Sequence, residues 1–297
     1  MRTKREWFGS GPVPVLAQNG KQLKITSVPD NYLSFKLFWL GMEYYEPETV
    51  ILLNELLAEG STFFDIGANI GYYSLQVGVC RPDVRVVAFE PHPRLFALLS
   101  SNVKANNFAL VNCEAKAVSS TRGTATLHLS ASDMSSSLEQ DFSHLRNEQV
   151  VEVPVESIDL YIEDQGISGP IVMKIDVEGH EQQALEGMMK TLATIKPDLL
   201  LEVAEPFESD PYPMLKELGY RYYQVSELGL AAVEKLEPTI HGNIWFSNYL
   251  FSARPQDEIE KLSAALKQKV GSLDFSETSC LVDAAKIERL TRVRTEA

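Results

Sequence analysis

A chain of 297 residues, 44% of them hydrophobic, is long enough for one large domain with additions and carries enough apolar material for a sizeable core. Its formal net charge of -14 repels phosphate backbones at long range, and no Lys/Arg cluster builds a basic groove, which argues against nucleic acid as the bulk substrate. Cys80, Cys113 and Cys280 form no CxxC pair, the N-terminus lacks the apolar run of a signal peptide, and no apolar stretch approaches the roughly 20 residues of a bilayer span, so a reducing, cytoplasmic setting without a membrane span is expected.

Residues 1–30 carry Gly, Pro and Asn punctuation and read as an irregular arm with one short strand around Leu23–Val28. Residues 31–45 are densely aromatic. Tyr32, Phe35, Phe38, Trp39, Tyr44 and Tyr45 either stack on a ring-bearing acceptor or pack the N-terminal segment onto the domain. A helix follows, opened by Pro47 and closed by Gly60.

From there strands and helices alternate. Thr62–Ile66 is a short apolar strand, Gly71–Cys80 helical, Val84–Phe89 a strand, and Pro93–Asn106 a helix with Leu95, Leu98, Leu99 and Val103 on one face. Leu110–Ala115 is a third strand. Two extra strands, in ATLHLS and VVEVPV, flank a polar stretch between Ala117 and Pro170. Then come a strand at Ile171–Ile175, a helix at Glu178–Ile195, a strand at Asp198–Val203, a helix near Pro213–Leu218, and strands at Arg221–Val225 and Trp245–Phe251. Continuous apolar strands separated by helices predict a doubly wound, Rossmann-like α/β fold whose parallel sheet is covered on both faces. Beyond it, Ile259, Leu262, Leu266 and Val270 form one helical stripe, and Leu281, Ala284, Ile287 and Leu290 a second. The chain thus divides into an N-terminal arm (1–45), a catalytic domain (46–254) and a helical C-terminal extension (255–297).

The strongest local signal is FFDIGANIGYYSL, residues 63–75. A strand ends in Asp65, a tight loop carries Gly67, Asn69 and Gly71, and a helix begins, so backbone can approach a ligand closely. A dinucleotide fingerprint requires glycine at 67, 69 and 72; here Asn occupies 69 and Tyr occupies 72, which counts against an NAD-dependent oxidoreductase. Asn tolerates the left-handed conformation that such a turn needs. Glu90 ends the next strand, where a carboxylate can accept both ribose hydroxyls of a nucleoside.

With DIGANIG, VVAFEP and KIDVEGHE, residues of about 43–252 resemble the FkbM family of methyltransferases, as do SSSL (Ser135–Leu138) and NYLF (Asn248–Phe251). The resemblance implies a class I fold with a seven-stranded sheet, the last strand antiparallel, and transfer of a methyl group from S-adenosylmethionine to a hydroxyl of a sugar, glycan or secondary metabolite. It implies that Asp65, Gly67 and Asn69 line the methionine side of the cofactor site, with Gly71 also among the cofactor-binding residues, that Glu90 holds the ribose, and that Ala117 and Val118 flank the adenine. An N-methyltransferase of amides or adenines would carry an Asn- or Asp-Pro-Pro-aromatic tetrad where this chain reads DVEG. A non-catalytic nucleoside-binding protein of the same fold is the remaining alternative.

Methyl transfer to an alcohol requires alignment and a base for the hydroxyl proton. KIDVEGHE lies where a parallel strand delivers side chains to the ligand-binding edge, so Lys174, Asp176, Glu178, His180 and Glu181 are candidates. Asp176 is the first choice as base or orienting group, and His180 the second, since imidazole is the usual base near neutral pH. Glu178 and Glu181 read equally as acids in the first turn of a helix, serving its dipole. Lys174 interrupts a buried strand and needs a carboxylate partner, for which Glu202 in the adjacent strand is the natural choice. Acid clustering raises a divalent cation, but the spacing is no recognised cage and no metal ligand is assigned. The stripes of the C-terminal extension need covering, either by packing back on the parent domain or by a second chain, and of the two a partner chain in a symmetric homodimer is the expectation.

Overall fold

Two strands near the N-terminus, β1 (Gly11–Leu16) and β2 (Gln22–Ser27), pair antiparallel and send Val15, Leu23 and Ile25 into the core. This corrects the irregular arm read from the sequence. Pro12 and Pro14 look like strand breakers, but they face Thr26 and Lys24, whose amides point away from β1 to Asn102 and Asn106 at 2.7 and 2.8 Å. The missing proline donors therefore fall on the outer side of an edge strand, where nothing is lost.

The chain continues through α1 (Pro47–Leu56), β3 (Thr62–Ile66), α2 (Tyr72–Cys80), β4 (Arg85–Phe89), α3 (Pro93–Asn106) and β5 (Val111–Glu114). Next come β6 (Ala117–Val118), β7 (Gly123–Leu129), β8 (Gln149–Glu156), α4 (Ile158–Asp164), β9 (Ile171–Ile175), α5 (Glu181–Glu186), α6 (Met189–Thr194) and β10 (Asp198–Val203). The remainder is α7 (Pro213–Glu217), β11 (Arg221–Ser226), β12 (Gly229–Val233), β13 (Ile240–His241), β14 (Ile244–Trp245), β15 (Ser247–Ser252) and α8 (Gln256–Gly271). This computed structural model describes residues 11–27, 33, 37, 45–129, 138, 149–203, 210–236, 240–241, 244–245 and 247–273. The aromatic run from Tyr32 to Tyr44, most of the SSSL tract and the second C-terminal stripe lie outside them.

The main sheet has the order β12-β11-β15-β10-β9-β3-β4-β5. Strands β5, β4, β3, β9 and β10 run parallel, and β15 is antiparallel to both β10 and β11. The expected antiparallel last strand is present, but the described sheet has eight strands rather than seven. The extra one, β12, is a hairpin return from β11 with Ser226 opposite Gly229. From β3 the chain builds outward through β4 and β5, then crosses to β9 on the other side. That reversal opens a crevice at the carboxyl ends of β3 and β9.

Strands β3 and β9 are buried along their whole length, as their apolar sequences demand, with helices on both faces. The helix expected over Glu178–Ile195 is broken into α5 and α6. At the break a Cβ on Gly187 would lie 2.0 Å from the Ser119 carbonyl oxygen, and the Ser157 hydroxyl donates to the Gly187 carbonyl at 2.8 Å. A neighbouring segment occupies the space that a continuous helix would need.

The stripe Ile259, Leu266 and Val270 of α8 is buried in the chain's own core, against α1 and β12, with Leu262 packed alongside. Ser263 accepts the Leu230 amide at 2.9 Å, and Lys269 pairs with Glu55. The expectation that a partner chain covers this stripe is thereby corrected: the exposed edge that β12 adds gives α8 its seat. Among the described residues no helix is long and apolar enough to cross a membrane.

Candidate active site

The loop after β3 is tied to its neighbours at every residue. The amides of Gly67 and Ala68 donate to the Phe89 carbonyl at 3.0 and 2.9 Å, and that of Asn69 to Glu90 Oε2 at 2.7 Å. The Ile70 amide donates to Asn69 Oδ1 and the Gly71 amide to the Ala68 carbonyl, both at 2.8 Å. Gly67 has φ of 83°, and a Cβ there would fall 1.8 Å from the Asp176 carbonyl oxygen. Glycine is required because the loop rests directly on the backbone beyond β9. Asn69 takes the left-handed conformation expected of it, at φ 51°. Asn102 of α3 donates to the Ile70 carbonyl at 2.8 Å while accepting from Thr26, which locks the loop to β2.

Asp65, fully buried at the end of β3, accepts from the Ser74 amide at 2.9 Å and the Ser74 hydroxyl at 2.6 Å. Its carboxylate thus caps the first turn of α2. Burial raises its pKa from 3.8 to about 6, against the lowering effects of Ser74 and of the Lys174 charge. Glu90 is 5% exposed, and its two oxygens accept one amide each, from Asn69 at 2.7 Å and His92 at 2.8 Å. Burial raises its pKa to about 7, with Asp65 and Asp176 adding to the effect. Each carboxylate oxygen keeps a second lone-pair direction, so two hydroxyl donors can still be accepted.

Across the crevice, Lys174 of β9 is 1% exposed, and its Nζ lies 3.3 Å from Asp176 Oδ2 and 5.5 Å from the centre of the Tyr73 ring. Lys174 has the carboxylate partner its burial demands in Asp176, and the expected Glu202 acts on its charge as well. Lys174 stands opposite Leu200, so Glu202 lands one step nearer the edge, level with Asp176. Burial works to lower the Lys174 pKa, but Asp176, then Glu202 and Glu46, outweigh it and hold the ammonium charged. Burial, then the Asp176 charge, pushes the Glu202 pKa well above the usual carboxylate range. Asp176 itself keeps about a third of its side chain exposed.

Glu178 does not sit in a helix, as the sequence suggested; it precedes α5 at φ 53°. Burial and then the charges of Asp176 and Glu181 raise its pKa to about 8. Glu181 does open α5, and burial likewise raises its pKa. His180 is buried, with Nε2 2.9 Å from the Ser119 hydroxyl. This joins it to the segment following Ala117 and Val118, which are themselves buried where β6 pairs with β8. Asp65, Gly67, Asn69, Gly71, Glu90, Lys174 and Asp176 therefore meet at one crevice. His180, Ala117 and Val118 converge around Ser119. Among the described residues no group of three His, Cys, Asp or Glu side chains is placed to hold a metal ion.

Glu46 was not a sequence candidate. It precedes α1 at φ 48°, and its Oε2 accepts from the Tyr73 hydroxyl and, at 2.8 Å, from Asn248 Nδ2. Beside it the Tyr72 hydroxyl donates to the Tyr45 carbonyl at 2.7 Å, and the two rings meet edge-on. A non-glycine residue held at positive φ next to the site was the available signal, but only coordinates reveal it.

Comparisons with known proteins place this geometry in a family. The hexuronic acid methyltransferase AglP of Haloferax volcanii is 28% identical over 151 residues, spanning 50% of this chain and 59% of that relative. The crystal structure of methyltransferase FkbM from Methylobacillus flagellatus is 18% identical, covering 67% of this chain and 45% of that one, with a TM-score of 0.43. That of precorrin-6y C5,15-methyltransferase from Geobacter metallireducens is 15% identical, covering 69% and 86%, with a TM-score of 0.38. The family described as Methyltransferase FkbM domain matches residues 65–222, more than half of the chain and the stretch from β3 to β11 that builds the crevice, and the protein belongs to that family.

Proposed function

We propose that the protein is an S-adenosylmethionine-dependent O-methyltransferase acting on a hydroxyl of a sugar, glycan or secondary metabolite. The observation that carries the reading is the pairing of Glu90 with a loop whose amides are all used within the chain. A pyrophosphate is held by free amides of the glycine loop, and the amides of residues 67–71 are already engaged within the chain. A nucleoside without phosphates needs only acceptors for its ribose hydroxyls, which Glu90 retains. The same edge carries Asp65 and Asp176 beside Lys174, a setting that favours a cationic sulfonium over an anionic nucleotide.

In this reading Asp65, Gly67, Asn69 and Gly71 shape the methionine end, Glu90 holds the ribose, and Ala117 and Val118 flank the adenine. Bound S-adenosylmethionine supplies a methyl group whose transfer forms an O–C bond, leaves the S–C electron pair on sulfur and frees the hydroxyl proton. Asp176, partly exposed beside the loop, is the group to receive that proton. His180 braces the adenine side through Ser119. The hexuronic acid specificity of the Haloferax volcanii relative makes a sugar hydroxyl the first acceptor class to try.

Calorimetric titration with S-adenosylmethionine, S-adenosylhomocysteine and NAD tests the cofactor. The first two bind and NAD does not; NAD binding alone would overturn the reading. Methyl release against pools of sugars and hydroxylated metabolites then separates an enzyme from a binding protein of the same fold.

A further inference from the structure

Glu46 closes a polar row along the carboxyl edge of the sheet, on the face that α1 and α2 cover. The register assembles the row: Lys174 is opposite Leu200, Leu200 is opposite Leu250, and Glu202 is opposite Asn248. Side chains two apart on a strand share a face, so Lys174 and Asn248 project on the side where Val172, Leu200 and Leu250 join the core of α1 and α2. There Lys174 Nζ lies 3.3 Å from Asp176 Oδ2 and 5.5 Å from the centre of the Tyr73 ring. The Tyr73 hydroxyl donates to Glu46 Oε2, and Asn248 Nδ2 donates to the same oxygen at 2.8 Å. Contacts thus run without a gap from Asp176 through Lys174 and Tyr73 to Glu46 and Asn248. Lys174, Tyr73 and Asn248 are buried, while the carboxyls of Asp176 and Glu46 are partly exposed.

Glu46 differs in two ways from a carboxylate that only ties segments together. Both of its donors fall on Oε2, and among the described residues no donor reaches Oε1. Asn248 is 8% exposed, its Nδ2 is committed to Glu46, and its Oδ1 is buried with no hydrogen-bond partner. Buried acceptors are nearly always filled, so one left bare beside the crevice points to a donor from outside the chain. The two bare oxygens ask for the same chemistry. Neither an ionised carboxylate nor an amide oxygen donates, so the ligand brings hydrogen-bond donors. Hydroxyls meet that demand; a carboxylate or a phosphate does not.

We propose that Glu46 is an acceptor-binding residue: its Oε1 accepts the hydroxyl next to the one that gives its proton to Asp176, which makes the acceptor a vicinal diol. Tyr73 and Asn248 are its positioning residues. They fix the carboxylate by one oxygen and leave the other for the substrate. Lys174, paired with Asp176 and seated over Tyr73, keeps the two carboxyls in a set relation. A diol held at two points presents one oxygen to the methyl donor and holds its neighbour out of line, which is the alignment a displacement needs. The proposal rests on the methyltransferase reading for the fate of the hydroxyl at Asp176, and not for the contact at Glu46.

The test is saturation-transfer NMR of the full chain, without cofactor, with the methyl pyranosides of glucose, galactose, mannose and rhamnose and with their monodeoxy analogues. The parent binds at least one of the glycosides. Glu46→Gln still offers one oxygen to Tyr73 and Asn248 but sets an NH2 group where Oε1 stood. Binding then falls about 10–100-fold, the scale of a lost charged hydrogen bond, with the urea midpoint little changed. The deoxy analogue lacking the contacting hydroxyl binds the parent more weakly by a similar factor and is indifferent to Glu46→Gln. Tyr73→Phe keeps the ring, removes one donor and weakens the same glycoside by a smaller factor. A parent that binds none of the glycosides, equal affinity in parent and Glu46→Gln, or independent losses from the analogue and the variant overturn the proposal. Where Glu46→Gln fails to fold, the deoxy series on the parent and Tyr73→Phe decide: no deoxy analogue weaker than its glycoside, or an unchanged Tyr73→Phe, overturns it. Calorimetry with S-adenosylmethionine, whose affinity Glu46→Gln leaves unchanged, keeps the two readings apart: absence of binding in the parent refutes the cofactor assignment, and the NMR result still decides on Glu46.

Discussion

Glu90→Gln tests whether Glu90 is held at the site at a cost to the fold. The carboxyl is 5% exposed, and its pKa is raised from 4.5 to about 7 chiefly by burial. A folded-state pKa above the unfolded one means that its favourable contribution is fully present below about pH 4.5 and lost as pH rises through about 7. Ionising it in the folded protein therefore costs about 3 kcal/mol by pH 8. Glutamine carries no such charge. It does leave one of the amides of Asn69 and His92 facing an NH2 group, a penalty of about 1–3 kcal/mol. That penalty is almost independent of pH, so the informative quantity is the stability gap between variant and parent as a function of pH. Urea unfolding at intervals from about pH 4.5 to 8 should show the gap moving in favour of Glu90→Gln by about 3 kcal/mol. The titration of Asp65 falls in the same window, and its charge acts on Glu90 in the same direction. Parallel stability curves would refute the reasoning, because they would mean that Glu90 ionises as easily folded as unfolded. In the same variant S-adenosylmethionine affinity should fall by about 1.5–3 kcal/mol, so that one substitution relieves the fold and weakens the site.

Three further outcomes are expected. Gly67→Ala should destabilise the protein by more than about 2 kcal/mol in urea titration, since the new Cβ would meet the Asp176 carbonyl oxygen at 1.8 Å from a backbone at positive φ; a stable, cofactor-binding variant would disprove the close approach. Leu266→Ala should cost about 2–4 kcal/mol with no change of mass by light scattering, because the side chain is fully buried within its own chain. Asp176→Asn should lower turnover about 10²–10⁴-fold on an accepted hydroxyl substrate while leaving cofactor affinity within a few-fold; activity close to the parent would transfer the role of base to His180, for which His180→Gln is the next variant.

What was legible in the sequence was whatever is encoded within about a dozen neighbouring residues. The strands Thr62–Ile66 and Ile171–Ile175 and the helix Pro93–Asn106 came out with their observed boundaries, because unbroken apolar runs and a proline at the first helical turn are local signals. The glycine loop was legible for the same reason. The features that escaped depend on contacts between distant segments. Gly187 breaks the helix only because Ser119 lies against it, and Pro12 and Pro14 are harmless only because β1 is an edge strand. Glu46 joins the site through Asn248, 202 residues away, and no periodicity links two such positions.

Lys174 shows where that boundary lies. A lysine inside IVMKI is an anomaly that any apolar strand makes visible, and so is a glutamate inside DLLLEV. Reading the two as a pair assumed that the oddities of adjacent strands must face each other. The stagger between parallel strands brings in a third group: it sets Lys174 against Leu200 and Glu202 one step toward the edge, level with Asp176, so that Lys174 is held charged by both carboxyls. A single residue of slip would have turned Glu202 to the opposite face, among Phe251 and Tyr249. The polar row at the mouth of the crevice is thus a consequence of register. Register is fixed by packing of the apolar residues around it, with Met173, Leu199 and Leu201 on one side and Val172, Leu200 and Leu250 on the other. The hydrophobic core specifies which carboxyls share a site, and in that sense the chemistry at the edge is set by side chains that never touch the ligand.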